Sequence, residues 1–126
     1  MKAEEIVQPA YDDAAGVTAE FNRNILHVIR RRLGAEVVPD DFVHEAWWEP
    51  AEEWVQVALR AVRPTRITVP GLVDAAFAEG DRILTEISAK FTPARIDAEL
   101  ERAGFATTAR WFDEPEWFAV TLATRR

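Results

Sequence analysis

Polar side chains alternate with apolar ones along residues 82–91, RILTEISAKF, and this segment carries the best candidates for chemistry. In a β-strand, successive side chains point to opposite faces, so Glu86, Ser88 and Lys90 would share one face with Leu84. Glu86 and Ser88 would then lie roughly 7 Å apart, which suits two groups that hold one small polar ligand. The same pattern fits the solvated outer face of a sheet. The strand by itself leaves both interpretations open.

The other face of this strand is apolar and rich in residues that favour strands. It would carry Ile83, Thr85, Ile87, Ala89 and Phe91. We therefore expect it to pack on the core, with Glu86 and Ser88 on the side away from Ile83.

Elsewhere the chain offers little for catalysis or metal binding. His27 and His44 are the only histidines, and neither pairs on a predicted helix with a second histidine or a carboxylate at the i, i+4 spacing of a metal site. We expect both to be structural. The five glycines are scattered and form no phosphate-binding loop. No nucleophilic triad can be assembled from the spacing of the residues.

A long helix over about residues 13–33 should position the N-terminal part of the chain. Asp12 or Asp13 can cap its start, and Gly34 is a natural stop. An apolar stripe with helical spacing is expected to face the core. It consists of Ala14, Val17, Phe21, Ile25 and Val28, widened by Leu26, Ile29 and Leu33.

The middle of the chain reads as short strands separated by turn signals. Residues 42–48 and 53–62 form a hairpin around Pro50, and strands follow at 66–69, 72–77 and 82–91. A second helix starts at Thr92 and Pro93 and precedes strands at 105–112 and 117–124.

The predicted fold class is therefore α+β: a long N-terminal helix against an antiparallel β-meander, followed by a helix and a C-terminal β-hairpin. Trp111 and Trp117, which flank the last turn, are expected to pack in a core.

Composition narrows the function classes. The chain has 126 residues, 48% of them hydrophobic, which predicts a globular fold with a core. The net charge of −7 argues against a nucleic-acid partner. No apolar run approaches the ~20 residues of a membrane span, and the N-terminus lacks the apolar stretch of a signal peptide. The chain has no cysteine, which excludes disulfides and thiolate metal sites. We expect a soluble, cytoplasmic protein without a membrane partner.

Two segments of this sequence resemble the signature segments of a known enzyme family. Residues 10–24, AYDDAAGVTAEFNRN, and 85–91, TEISAKF, are similar to those of the histidine-specific, S-adenosylmethionine-dependent methyltransferases. The hairpin around 53–57 and the segment 92–124 match in order and spacing. These enzymes trimethylate the α-amino group of L-histidine in ergothioneine biosynthesis, and the resemblance covers essentially the whole chain.

The resemblance implies a division of the chain. Residues 1–91 resemble the C-terminal part of the family's substrate-binding domain, and 92–126 resemble the last helix and hairpin of its Rossmann-like methyltransferase domain. The family's enzyme is much longer, and its glycine-rich S-adenosylmethionine site has no counterpart here. The chain is therefore expected to be a fragment or truncated relative that supplies part of the histidine pocket and binds no S-adenosylmethionine alone.

The resemblance also implies roles for four residues. Tyr11 matches the tyrosine that hydrogen-bonds the carboxylate of the substrate, and Glu86 and Ser88 match the pair that binds its imidazole. Val57 stands where the family usually has a methionine against the ring. No catalytic, cofactor-binding or metal-binding residue is assigned in this chain.

Two alternative functions remain. The chain could be a non-catalytic small-ligand-binding or interaction module. It could also be one half of a split methyltransferase whose partner chain carries the S-adenosylmethionine-binding domain.

Overall fold

A computed structural model describes residues 8–126 of the chain. These residues divide into two compact units, 8–89 and 90–126. The first holds one long helix and five strands, and the second holds one helix and two strands. The α+β class predicted from the sequence is confirmed.

Helix α1, Val17–Leu33, begins later than the predicted start near residue 13. Gly16 lies just before it with φ 73°, in the left-handed region that glycine adopts at little cost. This turn lets Asp13 cap the helix from outside, since its two carboxylate oxygens accept hydrogen bonds from the amides of Val17 (3.0 Å) and Thr18 (2.8 Å). Gly34 ends α1 in the same left-handed conformation.

The buried face of α1 matches the predicted stripe only in part, at Leu26 in the core and at Ile29, which packs against the core. Asn22 and Leu26 are buried on it, with 4% and 2% of their surface exposed. Most of the predicted stripe is exposed instead: Val17 by 66%, Phe21 by 71%, Ile25 by 42% and Val28 by 38%. The helix carries apolar residues around much of its circumference, and on its buried face the Asn22 amide donates to the carbonyl of Ala58 on the sheet.

Five strands of the first unit form two antiparallel sheets. Strands β1 (Phe42–Glu49), β2 (Trp54–Ala61) and β5 (Arg82–Ala89) form a sheet in the order β1-β2-β5. Strands β3 (Thr65–Val69) and β4 (Val73–Phe77) form a separate hairpin. The predicted strands are thus present, but their order is not that of a simple meander, because β5 pairs with β2 rather than with β4.

The core lies between α1 and one face of the three-stranded sheet. Phe42, Leu26 and Leu59 are fully buried in its main cluster, and Ile83 packs against it. A smaller cluster lies further along the same face of β2, and Tyr11 packs against it. Its buried members are Ala46, Val55 and Val57.

A β-bulge changes which side chains of β5 face the helix. Val57 pairs with Glu86, while the next residue of β2, Ala58, pairs with Leu84, so Thr85 is the extra residue. Ile83 lies before the bulge and Glu86 after it, and both therefore face α1. The prediction that they occupy opposite faces is wrong, because the extra residue reverses the alternation.

The bulge also moves Ile87, another residue of the predicted apolar face, away from the core. Ile87 pairs with Gln56 on the opposite side of the sheet and is 54% exposed. It does not pack on the core.

The second unit is small and has no buried residue. Helix α2, Pro93–Arg102, begins where predicted, with the Thr92 hydroxyl accepting from the amide of Arg95 at 3.2 Å. Strands β6 (Phe105–Phe112) and β7 (Ala119–Arg125) form an antiparallel hairpin. Trp111 and Trp117 are 56% and 54% exposed, so the prediction that they pack in a core is wrong.

Candidate functional site

A cavity of about 360 Å³ lies in the first unit, between α1, the segment that precedes it, and strands β2 and β5. One wall is the helix, which contributes Thr18, Phe21, Asn22 and Ile25, and the opposite wall is the sheet. The sheet contributes Val57, Thr85 and Glu86, and the segment before the helix contributes Ala10 and Tyr11. The cavity thus combines apolar walls with a few polar groups, as small-molecule sites do.

The carboxylate of Glu86 reaches this cavity because of the bulge at Thr85. Val57, the cross-strand partner of Glu86, is 3% exposed and provides an apolar wall beside it. The main chain of Glu86 is held by Gln56, whose side-chain amide donates to the Glu86 carbonyl at 3.0 Å. Within residues 8–126 no hydrogen bond or ion pair to the Glu86 carboxylate is found, so it is available as an acceptor.

Tyr11 and Ser88 are in direct contact. The phenol oxygen of Tyr11 lies 2.6 Å from Oγ of Ser88. Tyr11 lines the cavity, whereas Ser88 does not belong to its lining and is linked to it through Tyr11. The structure therefore brings together the four residues singled out by the resemblance, three of them in the cavity wall.

His44, which is bonded to Asn22, holds Tyr11 by its main chain, and neither His44 nor Asn22 was assigned a functional role in the sequence analysis. The Asn22 side-chain nitrogen lies 2.9 Å from the Ala58 carbonyl and 3.0 Å from Nδ1 of His44. On the other side of the ring, His44 Nε2 lies 2.6 Å from the carbonyl oxygen of Tyr11. A polar residue four positions before Leu26 on the buried face of α1 is the signal that could have indicated Asn22.

An ion cluster on the opposite face of the sheet ties all three strands together. Glu45 on β1 binds Arg60 on β2 and Arg82 on β5, the latter at 2.6 Å. Partial burial by itself raises the pKa of Glu45, but the hydrogen bonds from Arg82 and Arg60 outweigh it and lower the pKa below its usual value. The carboxylate therefore stays ionised at neutral pH and holds β5 in register behind the cavity.

Residues 8–126 offer neither a metal-binding cluster nor a membrane-spanning helix. They contain no group of three or more side chains placed to hold a metal ion. None of the helices in this part of the chain is both long enough and apolar enough to cross a membrane.

Comparison with known proteins gives a consistent result. A sequence profile described as "Histidine-specific methyltransferase, SAM-dependent" matches residues 1–125. The chain is 45% identical over 117 residues to a histidine N-alpha-methyltransferase of Mycolicibacterium smegmatis and 44% identical over 117 residues to one of Mycobacterium tuberculosis. Each match covers 92% of this chain and 36% of the relative, so the chain spans about a third of the length of these relatives.

Proposed function

The chain belongs to the family of SAM-dependent, histidine-specific methyltransferases, and we propose that it supplies one wall of the pocket in which such an enzyme holds L-histidine. The complete enzyme would convert histidine to histidine betaine, with S-adenosylmethionine as methyl donor, in the cytoplasm and as part of ergothioneine biosynthesis. Residues 1–91 would form part of the substrate-binding domain, and 92–126 would complete the methyltransferase domain.

The cavity beside Glu86 is the observation that carries the proposal. An ionised carboxylate only accepts hydrogen bonds, so Glu86 selects a ligand that presents an N–H, as an imidazole does. Val57 and Phe21 offer apolar surface for the faces of a ring. A ligand without the N–H would offer Glu86 no hydrogen bond, and this lost bond is the proposed basis for discrimination between substrates.

Tyr11 and Ser88 would complete the recognition, with Tyr11 on the carboxylate of histidine and Ser88 on its imidazole. Because the two hydroxyls contact each other at 2.6 Å, a ligand held between them must replace that hydrogen bond with its own. The hydroxyl–hydroxyl bond would then be replaced by hydrogen bonds to charged or polar groups of the ligand.

S-adenosylmethionine does not fit the residues present in this chain. A Rossmann-like site holds its cofactor on a glycine-rich turn between a strand and a helix. Helix α1 follows a single glycine, Gly16, and α2 follows Thr92 and Pro93, so neither helix of residues 8–126 starts on such a turn. We therefore assign no methyl-transfer step to this chain and predict that it neither binds the cofactor nor methylates histidine by itself.

The apolar surface of the second unit supports its proposed place in a larger sheet. Phe112 and Phe118 are 48% and 67% exposed, and Val120 and Leu122 on β7 are each about half exposed. A hairpin and helix with no buried residue cannot be stabilised by a core of their own. We propose that residues 92–126 pack against further polypeptide of the methyltransferase domain.

Calorimetric titration with L-histidine tests the proposal, using the chain alone and the chain co-expressed with the part of the M. smegmatis relative that lies outside the match. We expect histidine to bind with higher affinity than L-phenylalanine, which lacks the ring N–H. Equal affinities for the two amino acids would show that Glu86 does not select the imidazole. Methylation of histidine by the chain alone would disprove the assignment of the cofactor site to other residues.

A split enzyme is the second candidate, and the exposed stripe of α1 favours it. Phe21 and Ile25 line the cavity and are also exposed, so a second polypeptide bound along the stripe would close the same pocket. In that case activity should appear only when the complementary part is added. Phe21→Glu should abolish the association, whereas Leu84→Glu, at an equally exposed site on the other face of the sheet, should not. Histidine binding by the chain alone, with no activity on mixing, would favour a ligand-binding module.

A further inference from the structure

We propose that His44 and Asn22 are positioning residues that anchor the main chain of Tyr11, so that its hydroxyl can exchange Ser88 for a ligand without leaving the cavity. The inference rests on the proposed function in one respect, namely that the Tyr11 hydroxyl meets the substrate. The anchor itself follows from the hydrogen bonds.

The Ala58 carbonyl determines which atom is the donor in each of the hydrogen bonds that link Asn22, His44 and Tyr11. The carbonyl of Ala58 can only accept, so the Asn22 group 2.9 Å away from it must be the NH₂. The same nitrogen lies 3.0 Å from His44 Nδ1, which must therefore be the unprotonated acceptor of a neutral ring. His44 then carries its proton on Nε2 and donates it to the Tyr11 carbonyl at 2.6 Å.

The order of these bonds connects the sheet to the cavity. Ala58 on the central strand orients Asn22, Asn22 sets the tautomer of His44, and His44 holds Tyr11. Asn22 is 4% exposed, and this burial protects the bonds from competition by water. Tyr11 belongs to no helix or strand, so this anchor and its hydroxyl contact with Ser88 are two separate attachments to the sheet.

The two attachments have different functions. The bond from His44 reaches the main chain and does not involve the hydroxyl. The bond to Ser88 uses the hydroxyl that a substrate carboxylate would engage. Loss of the Tyr11–Ser88 bond on ligand binding therefore leaves the main chain of Tyr11 in place. The segment before α1 is then already ordered in the ligand-free chain, so ligand binding does not have to supply the conformational entropy of ordering it.

The first test uses the unmodified chain. With ¹⁵N-labelled histidine, NMR of the two imidazoles should show a pyridine-type Nδ1 and a protonated, pyrrole-type Nε2 for His44, and the exposed His27 serves as the internal reference. A proton on Nδ1 of His44 at neutral pH would overturn the derivation.

The second test uses Tyr11 as its own probe, since it is the only tyrosine of the chain. His44→Gln keeps an N–H donor at the reach of Nε2, whereas His44→Asn keeps the partner of Asn22 but is too short to reach Tyr11. The ring signals of Tyr11 should stay unchanged in His44→Gln and move toward those of unfolded tyrosine in His44→Asn. Unchanged signals in a folded His44→Asn variant would overturn the proposal. His27→Asn is the matched control and should have no effect.

Histidine titrations of the same variants separate the anchor from the proposed function. His44→Gln should bind L-histidine like the unmodified chain, and His44→Asn should bind it about tenfold more weakly or worse. Equal affinities would show that the anchor does not position Tyr11 for the ligand. If addition of L-histidine leaves the Tyr11 ring signals of the unmodified chain unchanged, the proposed function is wrong. The ring signals of the ligand-free variants test the His44 anchor independently of that result.

Discussion

The phenol oxygen of Tyr11 lies 2.6 Å from the hydroxyl oxygen of Ser88, although the two residues are 77 positions apart in the chain. The contact joins the segment before α1 to the last part of β5. It places the N-terminal segment over the sheet at the end of the cavity where Val57 and Glu86 face each other. Two of the side chains proposed to bind a ligand are therefore the same pair that joins the segment before α1 to the sheet.

The contribution of this contact to folding can be measured with a double-mutant cycle. Tyr11→Phe and Ser88→Ala should each lower the free energy of unfolding by about 0.5–1.5 kcal/mol, and the double variant should show a coupling of about 1 kcal/mol. Urea unfolding followed by tryptophan fluorescence measures the free energy of unfolding of the unmodified chain, the two single variants and the double variant. Thr65→Ala, which removes a bond to Asp41 elsewhere in the unit, should combine additively with Tyr11→Phe. Additivity of Tyr11→Phe with Ser88→Ala would contradict the contact.

Glu86 should dominate the selection of an imidazole. Glu86→Ala removes an ionised acceptor, whose hydrogen bonds contribute about 1.5–3 kcal/mol, so the affinity for L-histidine should fall by about tenfold or more. Calorimetry with the chain and its complementary part measures this loss. Glu79→Ala, in the exposed turn before β5, is the matched control for charge and should leave binding unchanged. An equal loss in both variants would point to net charge rather than to Glu86.

The cavity should make Val57 more tolerant of a larger side chain than its neighbour on the same face. Val57→Met can extend into the open space and should cost less than about 1 kcal/mol, whereas Val55→Met, fully buried and outside the cavity lining, should cost about 1–3 kcal/mol through overpacking. Thermal and urea unfolding of the two variants test the difference. Equal costs would show that the cavity does not adjoin Val57.

Val57→Met should also change ligand binding. The longer side chain would fill part of the cavity and contact the ring of a bound amino acid, so the preference for histidine over larger aromatic amino acids should increase. Competition titrations of both Val57 forms measure the preference, and an unchanged ratio would contradict the placement of the ring against this residue.

Asp13 should make the stability of the first unit depend on acid pH. Hydrogen bonds from the Thr18 side chain and from the amides of Thr18 and Val17 lower its pKa from 3.8 to about 2. Because the folded-state pKa is the lower one, the stabilisation is fully present above about pH 4 and is lost as the pH falls toward 2. The difference in urea midpoint between the unmodified chain and Asp13→Asn should therefore shrink across that interval. Asp12→Asn, the adjacent control, should show no such trend.

Features set by local chemistry could be predicted from the sequence. Thr92 and Pro93 start α2 because a hydroxyl cap and a proline both favour the first turn of a helix. Pro50 lies in the turn of the first hairpin, and Gly34 ends α1. The segments that resemble the family also indicated Tyr11, Glu86 and Ser88, which the fold brings to one end of the cavity.

Features set by tertiary contacts could not be predicted. The buried face of α1 includes a polar residue, Asn22, bonded to the sheet, whereas most of the predicted apolar stripe is exposed. The bulge at Thr85 leaves no local signal, because threonine is an ordinary strand residue. The anchor on Tyr11 joins α1, β1 and β2, and its members are distant in the sequence.

The bulge at Thr85 also has a consequence for how this site could be gained or lost in evolution. Removal of Thr85 would restore regular alternation and turn Glu86 and Ser88 away from the helix, although neither of those two side chains would itself be changed. A single-codon deletion or insertion in this strand would therefore change which side chains of β5 face the cavity.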